Sequence, residues 1–225
     1  MGTLIEDASM KDRIYVFADR YDAGRMLAGM LGSYRGTDSL VLAIPMGGVP
    51  VASEVAQALR LPMDLIITRK LQIPHNPEAG FGAIGPDGEV VLNTLLLEQL
   101  RLSDDEIRRE VEKTGDVARR QDYVFRRGRP FPSLQGKTVI VVDDGLASGY
   151  TMLAAVKFLK RASPRGIVVG VPTGFERTIS VILPEVDDLV CLNVRSGPSF
   201  AVAEAYRSWY DLTEEDVLAL VKRFS

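Results

Sequence analysis

The chain has one cysteine, one histidine and one tryptophan in 225 residues. A lone Cys191 excludes an internal disulfide and fits a reducing compartment, so a cytoplasmic protein is expected. It lies in the apolar run LVCLNV, where a buried, inert thiol is expected rather than a nucleophile. A lone His75 rules out a histidine metal cluster, and a Ser–His triad would have to use His75 itself. Charge of one sign is also lacking. The formal net charge is −3, which gives no general attraction for nucleic acid or an anionic membrane. No apolar run approaches the ~20 residues of a membrane span. The opening MGTLIEDASMKD has neither the basic nor the apolar region of a signal peptide. No internal repeat, low-complexity tract or two-domain linker is seen, so residues 1–225 are expected to form a single domain.

What is present is alternation. Short aliphatic runs occur at 40–45 (LVLAIP), 63–69 (MDLIITR), 138–144 (TVIVVDD), 166–172 (GIVVGVP) and 188–194 (DLVCLNV). Continuous rather than alternating apolarity suits strands buried on both faces of a parallel sheet. Helical patterns separate them at 49–60, 151–162 and 175–185. Strand, helix, strand repeated predicts an α/β fold with an open, doubly wound, mainly parallel five-stranded sheet. The stretch 81–130 interrupts the rhythm between the second and third core strands. It begins as a hairpin, FGAIGPDGEVVLN, with Pro86-Asp87-Gly88 as the turn. It continues as a long polar helix opened by a Ser103–Glu106 capping box and ending before Gly128. A last helix is expected after Thr213.

The stretch VIVVDDGLASGYT (139–151) carries the chemistry. An open α/β sheet presents ligands at the carboxyl ends of its strands, and Asp143 and Asp144 stand at such an end. The loop that follows is small and glycine-containing and opens onto a helix. Its backbone N–H groups, with the helix dipole behind them, form an anion cradle suited to a phosphate. Ser148 and Thr151 add hydroxyl donors. Two carboxylates do not want that phosphate; they suit a ribose diol or the hydration shell of Mg²⁺. The plainer reading is a β–α turn with two capping aspartates. The loop is neither a Walker A sequence nor a GxGxxG fingerprint.

The whole stretch closely resembles the phosphoribosyl-diphosphate (PRPP) motif of type I phosphoribosyltransferases. FADRYDAGRMLA, PMGGVPVASEVAQAL and ITRKLQIPHNPEAGFGAIG look like members of that family whose acceptor is unassigned. The resemblance runs from about Phe17 to the C-terminus. It implies that Asp143 and Asp144 hold the ribose hydroxyls and, through water, Mg²⁺. It implies that Gly145, Leu146, Ala147, Ser148, Gly149, Tyr150 and Thr151 hold the 5-phosphate. The pyrophosphate loop then maps to Met46, Gly47 and Gly48, after Pro45. The N-terminal residues, the 81–130 insert and the tail after Val194 would form a hood. A homodimer through the insert helix or hairpin is also implied.

Two departures from the family pattern matter. Met46 stands where many relatives carry Arg or Lys, so the charge on pyrophosphate must come from elsewhere, with Arg69 and Lys70 as the expected source and as catalytic residues beside the two aspartates. Ala147 stands where 6-oxopurine enzymes carry an aspartate, which argues against a hypoxanthine or guanine acceptor handled that way. His75, Asn76 and Glu78 are candidate loop contacts, with a plain surface loop as the alternative. Arg119, Arg120, Arg126 and Arg127 would fold over a polyanion or form a solvated face. Phe200 and Tyr206 would line the hood or the core.

The reaction implied is Mg²⁺-dependent transfer of a 5-phosphoribosyl group from PRPP to a nitrogen nucleophile, such as a nucleobase, with release of pyrophosphate. The alternative is a non-catalytic PRPP- or nucleotide-binding regulatory module, which Met46 favours. A phosphate-accepting receiver domain also carries paired acids, but on its first strand. No basic patch or recognition helix points to nucleic acid.

Overall fold

The computed structural model describes residues 2–74 and 76–224. In chain order the elements are β1 (Thr3–Glu6), α1 (Arg20–Met30), β2 (Ser39–Ala43), α2 (Gly48–Leu59), β3 (Met63–Leu65), β4 (Arg69–Ile73), β5 (Asn76–Ile84), β6 (Val90–Leu92), α3 (Thr94–Leu100), α4 (Asp104–Arg126), β7 (Thr138–Val142), α5 (Tyr150–Ala162), β8 (Gly166–Phe175), α6 (Glu176–Ile182), β9 (Asp188–Arg195) and α7 (Glu214–Val221).

Six strands form one sheet in the order β1-β9-β8-β7-β2-β3, and every neighbouring pair is parallel. The five aliphatic runs supply five of these strands, which bury nearly every residue. The sixth, β1, joins the β9 edge with Thr3 opposite Asp188. Its sequence TLIE is short and largely exposed, so it carries no hydrophobic run that would announce a strand. Hydrophobic clusters cover both faces of the sheet. One packs Leu27, Val51, Val55, Leu59 and Val217 of α1, α2 and α7. The other packs Met152, Val156, Leu159 and Ile179 of α5 and α6.

A second, antiparallel sheet has the order β4-β5-β6. The 86–88 turn closes its β5–β6 hairpin as expected. Long α4 begins at the Ser103–Glu106 capping box and stops at Arg127 in the left-handed conformation, before Gly128. The Thr213 cap of α7 is likewise present. The second core strand differs from expectation: β3 ends at Leu65 rather than Arg69. Ile66 still donates its N–H to Ala43 at 2.9 Å, but the chain then leaves the parallel sheet. Arg69 and Lys70 therefore open the small sheet instead of ending a core strand.

Strand order fixes where a ligand can sit. The chain runs from β2 outward to β3, then returns to place β7 on the other side of β2 and continues through β8 and β9. Helices α2 and α5 leave β2 and β7 toward opposite faces. That is a topological switch point, and in such sheets the ligand crevice lies beyond the carboxyl ends of the strands, here β2 and β7.

Candidate active site

Two loops meet in that crevice. β7 ends in Asp143-Asp144, and β2 ends in Pro45-Met46-Gly47-Gly48. Their contact explains both glycines. A Cβ on Gly47 would lie 1.9 Å from Asp144 Oδ2, and one on Gly48 would lie 2.7 Å from the Val142 carbonyl oxygen and 2.9 Å from Asp143 Cα. Any side chain at these positions would push the loop off the acidic pair. The peptide between Pro45 and Met46 is cis. The partly buried Met46 side chain packs against the hydrophobic cluster on the α1/α2 face.

The acidic pair is tightly held. Asp143 accepts the Asp144 N–H at 2.8 Å. Asp144 accepts from Arg20 Nε at 2.9 Å, with side-chain exposures of 15% for Asp144 and 7% for Arg20. The Tyr206 hydroxyl donates to the Asp144 carbonyl at 2.6 Å. Arg20 lies at the start of α1 after the N-cap Asp19. Its Nη1 donates to the Tyr210 carbonyl at 2.8 Å, and its guanidinium stacks 3.8 Å over the Trp209 ring. Burial pushes Asp143 well above the usual carboxylate range, and the neighbouring Asp144 charge adds to this. Burial also raises Asp144, while Arg20 pulls it back.

The loop after the pair leads directly into the N-terminus of α5. Leu146 is buried and bridges to β8: its N–H donates to Thr173 and its carbonyl accepts from Phe175, both at 2.9 Å. Leu146 therefore fastens the loop, and its N–H is committed before any ligand arrives. The Thr178 hydroxyl holds the Ala147 carbonyl. Ala147 and Ser148 are exposed. Gly149 adopts φ +77° and caps α5, and a Cβ there would lie 2.3 Å from Thr178 Cγ2. The first-turn N–H groups of α5 have no carbonyl four residues back and face outward from the helix start. Tyr150 turns its ring toward Ala83, Val91 and Ala154. A cavity of about 340 Å³ adjoins the loop, lined by Asn93, Ser148, Tyr150, Phe175, Arg177 and Val181 among others.

Several other expected contact residues have structural partners of their own. Arg69 donates from Nη1 to Gln121 Oε1 on α4 at 3.3 Å, and its burial lowers its pKa. Lys70 packs its side chain over Gly80. Asn76 pairs with Ile73 at the tip of the small sheet. His75 and the side chain of Glu78 fall outside the described residues. Arg126 is buried, bonded to Asp64 at 2.8 Å, to Asp122 at 2.7 Å and to the Leu65 carbonyl. It is a structural pin and neither a polyanion contact nor part of a solvated face. Arg119 pairs with Asp116, and Arg120 pairs with Glu214 at 3.1 Å, while Arg127 caps α4. Tyr206 is core, behind the acidic pair. Phe200 stacks parallel on Phe175 with centroids 5.8 Å apart. Sequence reading missed Arg20 and Trp209. The segment DRYDAGR reads as an ordinary capped helix start, and nothing local marks its arginine as buried.

Among the described residues no group of three or more His, Cys, Asp or Glu side chains converges. Two adjacent carboxylates, one already paired with Arg20, make an incomplete cage. They fit a hydrated cation that arrives with other oxygens from a polyanionic ligand.

The phosphoribosyl transferase domain model matches residues 20–209. Curated proteins from two strains of Mycobacterium tuberculosis, each named "Putative phosphoribosyl transferase", are 37% identical over 208 residues, 92% of this chain and 47% of theirs. The chain thus spans about half the length of the curated relatives it matches. A crystal structure from Thermus thermophilus is 35% identical with a TM-score of 0.74, covering 93% of this chain and 99% of that one. A hypothetical protein from Neisseria gonorrhoeae, solved with bound ppGpp, gives a TM-score of 0.50 at 17% identity, covering 99% and 98%. That last likeness concerns the fold alone.

Proposed function

Because the chain belongs to the phosphoribosyl transferase domain family, we propose that it transfers a 5-phosphoribosyl group from PRPP to a nitrogen nucleophile, with release of pyrophosphate. The observation that carries this reading is the contact of the Gly47-Gly48 turn with Asp143 and Asp144 at the switch point. In this reading the acid pair takes the ribose, the glycine turn beside it takes the diphosphate, and the helix N-terminus takes the 5-phosphate. Asp143 and Asp144 orient the ribose hydroxyls. The N–H groups from Ala147 to Thr151 and the Ser148 hydroxyl hold the 5-phosphate. The backbone of Met46-Gly47-Gly48 receives the diphosphate. As the anomeric C–O bond breaks and the C–N bond forms, positive charge develops on the ribose. The two carboxylates beneath it stabilise that charge and hold the ring in line. Mg²⁺, held through water by Asp143 and Asp144, would make the leaving diphosphate less basic. Ala147 offers no carboxylate for proton transfer at the acceptor, so a nucleobase or related heterocycle must be recognised by other groups, with Phe175 and Arg177 lining the adjoining cavity and Phe200 stacked on Phe175.

We place the protein in the cytoplasm, consistent with its single buried thiol. Among the described residues no helix is long and apolar enough to cross a membrane. A homodimer through the insert is part of the same proposal. The second reading, a PRPP- or nucleotide-binding regulatory module, is favoured by one observation: the partly buried Met46 packs against the core and brings no charge to the diphosphate loop. Calorimetric titration of PRPP with and without Mg²⁺, followed by a pyrophosphate-release screen across nucleobases, tests both. Mg²⁺-dependent micromolar binding, about −8 kcal/mol, with turnover on one base supports transfer. PRPP binding without turnover on any base favours the regulatory module. Failure to bind either PRPP or a nucleoside monophosphate refutes both.

A further inference from the structure

We infer that Arg20 supplies the positive charge at the diphosphate loop that Met46 withholds. The inference rests on the phosphoribosyl-transfer reading above. Arg20 Nε is 2.9 Å from Asp144 Oδ2, and the Cβ position of Gly47 is 1.9 Å from that same oxygen. Arg20 Nε therefore lies within about 5 Å of the Gly47 Cβ position. Two of its nitrogens are committed, Nε to Asp144 and Nη1 to the Tyr210 carbonyl. Nη2 has no hydrogen-bond partner among the described residues. It is also not sealed away, because the only fully buried side-chain polar atom lacking a partner among those residues is Thr68 Oγ1. Stacking on Trp209 fixes the plane of the fork. One nitrogen is thus left uncommitted on a rigid, permanently charged group beside the loop.

The other expected cations are less well placed. Arg69 is turned to Gln121 on α4, and Lys70 lies along Gly80 in the small sheet. A guanidinium that already grips one anionic oxygen while keeping a second donor free suits a diphosphate, whose oxygens present acceptors side by side. Arg20 therefore serves two anions from one plane: it holds Asp144 in position for the ribose and donates to the diphosphate.

The two roles separate by ligand. PRPP and ribose 5-phosphate share the ribose and the 5-phosphate, and only PRPP has the diphosphate. Affinities of both are measured by calorimetry, with Mg²⁺, for the wild type, Arg20→Gln and Arg20→Gln/Met46→Arg, each checked for folding by circular dichroism. The expected result is that Arg20→Gln lowers the preference for PRPP over ribose 5-phosphate at least tenfold. Met46→Arg should restore a large part of it, because it returns a cation to the loop. Equal weakening of both ligands would overturn the inference and leave Arg20 as a positioning residue for Asp144 alone. Unchanged affinity for both would overturn it as well. Should the variants fail to fold, the side-chain Nε–H resonance of Arg20 in the wild type is read by NMR. It should move further with PRPP than with ribose 5-phosphate, and equal movement overturns the inference. A wild type that binds no PRPP refutes the transfer reading and this inference together. Wild-type binding with an unchanged preference in the variant refutes this inference only.

Discussion

Gly47→Ala is the sharpest perturbation of the crevice, because its cost follows from three distances. The new Cβ would lie 1.9 Å from Asp144 Oδ2, 2.5 Å from Cγ and 3.1 Å from Oδ1. Carbon and oxygen do not approach below about 3 Å in folded proteins, so loop and carboxylate must separate by about 1 Å. Asp144 cannot retreat freely. Arg20 grips its carboxylate at 2.9 Å and Tyr206 grips its carbonyl at 2.6 Å. A shift of that size takes the Arg20 contact out of hydrogen-bonding range. Breaking a fully buried pair costs about 3–5 kcal/mol. Asp144 keeps some exposure, so about 1–3 kcal/mol is expected here. In a chain of this length each kcal/mol lowers Tm by about 2–4 °C. Gly29→Ala is the matched control. Nothing lies within 4 Å of its Cβ position, and it sits inside α1, where alanine gains up to ~1 kcal/mol over glycine. Differential scanning calorimetry should therefore move the two melts in opposite directions, and PRPP affinity should drop at least tenfold for Gly47→Ala alone. If Gly47→Ala melts and binds like Gly29→Ala, the two loops do not touch as described and the diphosphate reading of the turn fails.

Asp143→Asn should separate stability from binding. Burial raises the folded pKa of Asp143 above its unfolded value, so the folded state holds the proton more tightly between the two. Stability therefore falls as pH rises through that window and is recovered on acidification. Asparagine keeps an acceptor for the Asp144 N–H and removes the buried charge. The variant should melt no lower than the wild type at pH 7 and should lose this component of the pH dependence, while Mg²⁺-dependent PRPP binding weakens; a markedly lower Tm at pH 7 would contradict the assignment. Arg126→Met leaves Asp64 without its buried cation and the Leu65 carbonyl without its donor. A loss of about 2–4 kcal/mol is expected in urea unfolding, with PRPP affinity of the folded protein unchanged. A loss below about 1 kcal/mol would mean the pin is dispensable.

The core strands, the caps of α4 and α7 and the hairpin turn were legible in the sequence because their causes are local. Continuous aliphatic runs, a Ser103–Glu106 box and a Pro-Asp-Gly turn act over a few residues. The acidic pair and the glycine-bearing loop were visible for the same reason. Edge strand β1 was not, since TLIE gains its place only by pairing with β9, far along the chain. Nor was the early end of β3: MDLIITR is a continuous run, and its split between two sheets depends on which partner strand each residue meets. Leu146 looked like one more cradle residue until its backbone was seen bonded to β8. Arg20 is the clearest case. Residues 139–151 alone put two acids and a small loop at the end of a buried strand. That an arginine 124 positions earlier closes on them follows from the packing of α1 in the folded chain. Burial and pairing between distant residues depend on how the helices pack across the sheet, which no local pattern encodes.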